Sequence, residues 1–227
     1  MKVRIRFNKT GALVYIGHLD VMRYFQKLLR RAGIPVAYSE GFSPHQILSF
    51  SHPLPLGMES FGEYADVEIT ESVKSEEALR SLRGHSVDGI GILSFRLLPE
   101  KCENAMASVR ASRYTALFPD SCGFDLCTAT ARFLGKNEIN VIKKTKKNEK
   151  EINIRSLVHE LSVKDSCLEM LISSGSSDNV KPELVIGAIP GFLQSGIDIN
   201  DIVIKRIDQY TEKDGTFISL DEIGTDI

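Results

Sequence analysis

The stretch from Tyr15 to Phe50, YIGHLDVMRYFQKLLRRAGIPVAYSEGFSPHQILSF, constrains the fold more than any other part of the chain. It opens with apolar residues at helical spacing: Leu19, Met22, Phe25, Leu29 and Ala32. Three- and four-residue steps place such a set on one face of a helix, with Asp20, Arg23, Lys27, Arg30 and Arg31 roughly opposite. Gly33 suits the position just past a helix end, and Pro35 prevents continuation. A helix starting near His18 or Leu19 and ending before Gly33 is therefore expected. Short strands at Pro35–Tyr38 and Ile47–Phe50 follow, separated by a loop of Ser39, Glu40, Gly41, Phe42, Ser43, Pro44 and His45.

What precedes this stretch is a strand. Val3, Ile5 and Phe7 alternate with Lys2, Arg4 and Arg6, the period-2 pattern of a half-buried strand. After it come the irregular Pro- and Gly-rich segment 51–63, a strand over Tyr64–Thr70, a helix over Ser75–Leu82 and a strand over Ile90–Leu98. Strand, helix, strand, strand, helix, strand is the ferredoxin-like βαββαβ order. It packs two helices on one face of an antiparallel sheet through right-handed crossovers.

The second half repeats the theme. Strands are expected at Val109–Leu117, Ile139–Lys144, Ile152–Leu157, Cys167–Ser173 and Ile202–Tyr210, the last turning at Asp214-Gly215 into Thr216–Leu220. Helices are expected at Phe124–Leu134 and Lys181–Ile189, and the polar run 143–151 reads as a hairpin tip. The predicted architecture is α+β, two ferredoxin-like subdomains in tandem. One spans 1–98 and carries the His18/His45 site, 99–108 is a linker, and 109–227 is a second α+β domain.

Charge is uneven. The whole chain of 227 residues carries a net charge of −2, but residues 1–60 hold eight Lys/Arg against three acids, while the remainder holds 20 basic and 27 acidic residues. A locally basic region on a mildly acidic chain points to an anionic partner. Hydrophobic residues at 42% and charged residues at 26% are those of a soluble globular protein. No apolar run reaches the ~18 residues of a membrane span, and the basic, alternating N-terminus lacks the apolar core of a signal peptide. The expected compartment is the cytoplasm, without membrane contact. Nothing in the sequence speaks to oligomeric state.

Cys102, Cys122, Cys127 and Cys167 form no CxxC pair and have no histidine at zinc-finger spacing. They read as small buried hydrophobes in a reducing compartment. No P-loop, GxGxxG, GxSxG or HExxH is present, so neither a metal nor a cofactor is expected.

The candidate site is drawn from the Tyr15–Phe50 stretch. His18 and His45 are the candidates for acid–base chemistry, though a histidine at a helix start also bonds to backbone. Arg23, Lys27, Arg30 and Arg31 form a basic stripe suited to phosphates or simply a solvated face. Ser39 and Ser43 offer hydroxyls, and Tyr24 and Phe42 offer rings for base stacking or for packing. The seven-residue separation of His45 and His52 argues against a two-histidine metal site. Glu59 and Glu63 either complete a polar site or cap the next strand.

These residues carry a resemblance. Arg4-Ile5-Arg6-Phe7, Ile16, His18-Leu19-Asp20, Arg30-Arg31-Ala32-Gly33, Tyr38-Ser39, Gly41-Phe42, Pro44-His45, Ser49-Phe50, Pro53-Leu54-Pro55-Leu56-Gly57, Glu59-Ser60 and Gly62-Glu63-Tyr64 resemble the bacterial radical SAM-linked (radical SAM-associated) domain of unknown function. That domain occurs alone or behind a radical-SAM enzyme. Gly17, Ser43 and Gln46 stand where the family has Ser, Asn and Pro. The resemblance implies a radical-SAM protein as partner, and the family's link with RNA modification implies RNA. The chain itself lacks the CxxxCxxC spacing of a radical-SAM cluster. In plan, though not in motif, the chain is also similar to the tandem ferredoxin-like RNA-processing proteins of CRISPR systems.

Three functions are thus expected to compete. The favoured one is an accessory module binding RNA, or an RNA-modifying partner, through the His18–His45 surface. The others are a histidine-dependent ribonuclease or catalytic partner enzyme, and a protein–protein adaptor without nucleic acid.

Overall fold

The computed structural model describes residues 1–119, 123–144, 149–175 and 178–227. Cys122 and the central residues of the hairpin tip expected at 143–151 lie outside them. The chain is a mixed α+β protein with a large, mostly antiparallel sheet and few helices. It divides into two compact units, Met1–Arg110 with Arg206–Ile227, and Ala111–Lys205.

The first unit begins with β1 (Lys2–Lys9), α1 (His18–Arg31), β2 (Leu48–Phe50) and β3 (Glu59–Glu68). It continues through α2 (Ser75–His85), β4 (Ile92–Leu97) and a single turn, α3 (Ala105–Ser108). β1 lies between β4 and β3, antiparallel to both, and β2 pairs antiparallel with β3. Along β1 the alternation works as physical chemistry requires. Val3, Ile5 and Phe7 meet Phe25, Leu28 and Leu29 of α1 and Ala78 and Leu82 of α2 in one buried core. Gly33 takes the left-handed backbone (φ 67°) that ends α1.

The opposite face of β1 differs from the expected solvated one. Arg4 is buried and its guanidinium grips Asp66 on β3, Nε to Oδ1 at 2.7 Å and Nη2 to Oδ2 at 3.0 Å. The cause is cover on that face. Leu220, Ala105 and Val109 pack around Tyr64, and Arg4 also donates to the Leu220 and Glu103 carbonyls.

Two local expectations are corrected. The buried face of α1 is Val21, Phe25, Leu28 and Leu29, whereas Leu19 is 59% exposed. Pro35–Tyr38 makes only isolated bridges, Val36 to Ile69 and Tyr38 to Gln46, because Pro35 has no N–H for a ladder.

In the second unit, β5 (Ala111–Leu117), α4 (Leu126–Leu134), β6 (Asn140–Lys144) and β7 (Glu149–Asn153) come first. β8 (Val158–Lys164), β9 (Cys167–Ser173) and α5 (Pro182–Gly187) follow. β9 pairs antiparallel with β5 and β8, and β6 and β7 form a separate ribbon. The strand expected at Ile152–Leu157 is instead the end of β7 and a 3-10 turn over Arg155–Leu157, with β8 starting after it. Finally β10 (Val203–Lys213) turns through Asp214 and Gly215, both at positive φ, into β11 (Thr216–Ser219). From Arg206 onward this hairpin belongs to the first unit, where β10 neighbours β3.

Candidate functional site

Two concavities of the first unit hold the residues of interest, and they divide the expected site. His45 lines an open groove of about 380 Å³, with Arg23, Gln26, Lys27 and Arg30 of α1 on one side and Tyr38, Pro44 and Gln46 on the other. His18 lines a small cavity elsewhere, with Phe7, Lys9, Val21, Phe50, Ser51, Pro53, Leu54 and Glu63.

The groove follows from local structure. A four-residue step from Arg23 to Lys27 and a three-residue step on to Arg30 stack three cations along one exposed side of α1. The loop opposite is closed on itself. The Ser39 amide donates to the His45 carbonyl at 2.8 Å, the His45 amide donates to Ser39 Oγ at 3.1 Å, and His45 Nδ1 lies 2.9 Å from the same hydroxyl. Gly41 makes the bend at φ 106°, a backbone closed to most side chains. Gln46 ties loop to helix by donating Nε2 to the Gln26 carbonyl at 3.3 Å. Arg23 pairs with Asp20 at 3.3 Å. Among the described residues Lys27 and Arg30 meet no carboxylate, so the groove keeps a net positive edge.

The remaining expected residues are distributed around it. Ser39 anchors His45, while the fully exposed Phe42 and the exposed Ser43 stand at the loop apex and do not line the groove. Arg31 points away, donating to the His85 carbonyl at 3.3 Å. Tyr24 is structural: its ring packs edge-on against Phe25, and its hydroxyl accepts the Val87 amide at 3.0 Å. Among the described residues, no group of three or more His, Cys, Asp or Glu side chains is placed to hold a metal ion.

The small cavity sits over a buried polar cluster. Arg206 of β10 is wholly buried and clamps Glu63, Nε to Oε1 at 2.9 Å and Nη2 to Oε2 at 2.6 Å, while Nη2 also donates to the His52 carbonyl at 3.0 Å. Lys9, 4% exposed, donates to the carbonyls of Ile16 at 2.8 Å and Val14 at 3.3 Å. Ser51, 2% exposed, accepts from Gln209 Nε2 at 2.9 Å and from the Tyr64 amide at 3.3 Å. Gln209 Nε2 donates as well to the Gly62 carbonyl at 2.8 Å. The His18 ring stands edge-on to Phe50, centroids 5.4 Å apart.

Electrostatics follow burial. Desolvation holds the Lys9 ammonium below its usual pKa, opposed by Glu63 and reinforced by Arg206. His52 is also lowered, first by burial and then by the Arg206 charge, against the pull of a Pro53 backbone hydrogen bond and of Glu63.

Sequence reasoning missed Lys9, Ser51, Arg206 and Gln209. A signal existed for two of them. Lys9 continues the parity of Val3, Ile5 and Phe7, and Arg206 that of Ile202 and Ile204. A cation in phase with apolar positions of a strand is placed to be buried and must find a partner.

The chain belongs to a bacterial family: the family model described as "Uncharacterized protein conserved in bacteria (DUF2344)" matches residues 2–182. No curated protein matches the chain.

Proposed function

We propose that this protein is an accessory module that binds RNA along the groove between α1 and the Ser39–His45 loop. The observation that carries the reading is the convergence of Arg23, Lys27, Arg30, Tyr38 and His45 on one open groove. Cations spaced by single helical turns match a run of phosphates, and an exposed tyrosine and phenylalanine nearby supply faces for unstacked bases. The radical-SAM enzyme as working partner is supported by the motif resemblance alone, and the cytoplasm as compartment by the free Cys102, Cys127 and Cys167. The ferredoxin-like plan is supported in the first unit by the strand order β4-β1-β3-β2 with two helices on one face. We extend it to the second subdomain as part of the same reading.

The ribonuclease alternative draws less support. A histidine acting as acid or base in strand cleavage needs a second titratable group within reach. The hydrogen-bond partner of His45 is the Ser39 hydroxyl.

The test is affinity for single-stranded RNA across a salt series, for the native protein and an Arg23→Ala/Lys27→Ala variant. Losing two phosphate contacts should flatten the plot of log affinity against log salt by roughly one to two units. Thermal melts should coincide, because exposed charges away from special features matter by less than ~0.5 kcal/mol. Equal slopes with equal melts would remove the groove as the RNA surface. Salt-independent capture of a protein partner at the same face would favour an adaptor.

A further inference from the structure

We propose that the cavity beside the start of α1 is an oxyanion site, separate from the groove, that takes one oxygen of a phosphoryl or carboxyl group. Its volume is about 20 Å³, room for a single oxygen-sized group. Its lining has more donors than the protein itself uses. Lys9 gives two of its three N–H bonds to carbonyls, and among the described residues nothing takes the third. The Ser51 hydroxyl accepts twice, and no described acceptor takes its hydrogen. Both side chains are more than nine-tenths buried, where an unused donor is costly.

Charge separates an oxyanion from a bound water. Glu63 lines the cavity but is committed to Arg206 through both of its oxygens. With Lys9 beside that pair, the cluster holds two cations against one anion. The cavity also adjoins the positive end of α1, a 14-residue helix whose N-cap residue, Gly17, offers no side chain to the first-turn amides. A negative oxygen would meet the Lys9 ammonium and the Ser51 hydroxyl together. It would also offset the desolvation that now disfavours the charged ammonium. His18 stands exposed at the mouth, where a second ligand oxygen would lie.

The experiment is titration calorimetry of the full chain with inorganic phosphate, formate and chloride at fixed ionic strength. Saturable binding of phosphate identifies a phosphoryl ligand, and of formate without phosphate a carboxyl one. Lys9→Met should weaken that binding about tenfold or more, as expected for a lost charge-assisted hydrogen bond. His18→Gln should weaken it less, and Ser51→Ala by about fivefold. The Arg23→Ala/Lys27→Ala variant should bind as the native protein does, which keeps this result distinct from that of the groove. No saturable binding beyond chloride would overturn the proposal and leave a buried water as the occupant. So would unchanged affinity in Lys9→Met, or loss of binding in the groove variant. Should Lys9→Met fail to fold, unchanged affinity in both His18→Gln and Ser51→Ala would overturn it equally.

Discussion

Glu63 and Arg206 stand 143 residues apart in sequence and are joined at both carboxylate oxygens, with the arginine completely buried. The pair fixes β10 beside β3 and sets the charge of the cavity above it. Buried pairs of this kind resist losing one partner far more than losing both. Glu63→Leu strands a guanidinium and should cost about 3–5 kcal/mol, whereas Glu63→Leu/Arg206→Met should cost clearly less than that. Urea unfolding of the two variants decides it. A double variant as unstable as Glu63→Leu, or more so, would mean that the pair is uncoupled.

Close approach of β3 and β10 depends on Gly62. A Cβ there would lie 2.5 Å from Asp208 Cα and 2.7 Å from the Ile207 carbonyl oxygen, so backbone would have to move. Gly62→Ala should lower stability by about 1–3 kcal/mol, the usual cost of overpacking. Gly84 is the internal control. It lies within α2 and an added Cβ would meet nothing. Gly84→Ala should therefore raise stability by roughly 0.5–1 kcal/mol. Melting temperatures that move in the same direction for both would contradict the geometry.

His52 gives a pH signature. Its folded pKa is lowered below 6.5 by burial and by Arg206. Its contribution to stability is therefore full above the unfolded value, and it is lost as pH falls through 6.5 towards the folded value. Native protein should lose stability between pH 7 and pH 5, and His52→Asn should lose less over the same interval. Parallel stability profiles for the two proteins would show that His52 does not titrate out of step with the unfolded chain.

Much of the first unit was legible because its signals are local. The alternation of Val3, Ile5 and Phe7, the span of α1 and its stop at Gly33 and Pro35 each depend on residues near in sequence. The phase of α1 was harder. Leu19 matched the apolar spacing but sits in the first turn, beyond the reach of the sheet, while Val21 and Leu28 fill the core. The groove was half legible: the cations could be listed, but only the fold shows that Arg31 turns towards His85 while Arg23, Lys27 and Arg30 face His45. The cavity was not legible as a site. It needs Lys9 from β1, Ser51 after β2, Glu63 from β3 and support from β10, and no local pattern joins strands so far apart. Arg4 and Asp66 make the same point, since a basic residue opposite an apolar stripe reads as solvated until its cover is known.

Phe42 offers the sharpest test of the RNA reading. It is fully exposed at the apex of a loop held shut by Ser39 and His45, beside but not inside the cation groove. A large ring in that position buries nothing in the folded chain, so removing it should leave the melt unchanged. If bases stack on it while α1 holds their phosphates, truncation loses one stacking contact, about 1–3 kcal/mol by alanine substitution. Phe42→Ala should then weaken single-stranded RNA binding by roughly 5- to 150-fold. Because the ring is uncharged, the salt slope should stay that of the native protein, opposite to the Arg23→Ala/Lys27→Ala result. A parallel measurement of affinity and salt slope for the two variants separates stacking from phosphate contact. Native affinity in Phe42→Ala would confine RNA binding to the cations of α1, and a changed slope would mean that the loop positions the cations rather than the bases.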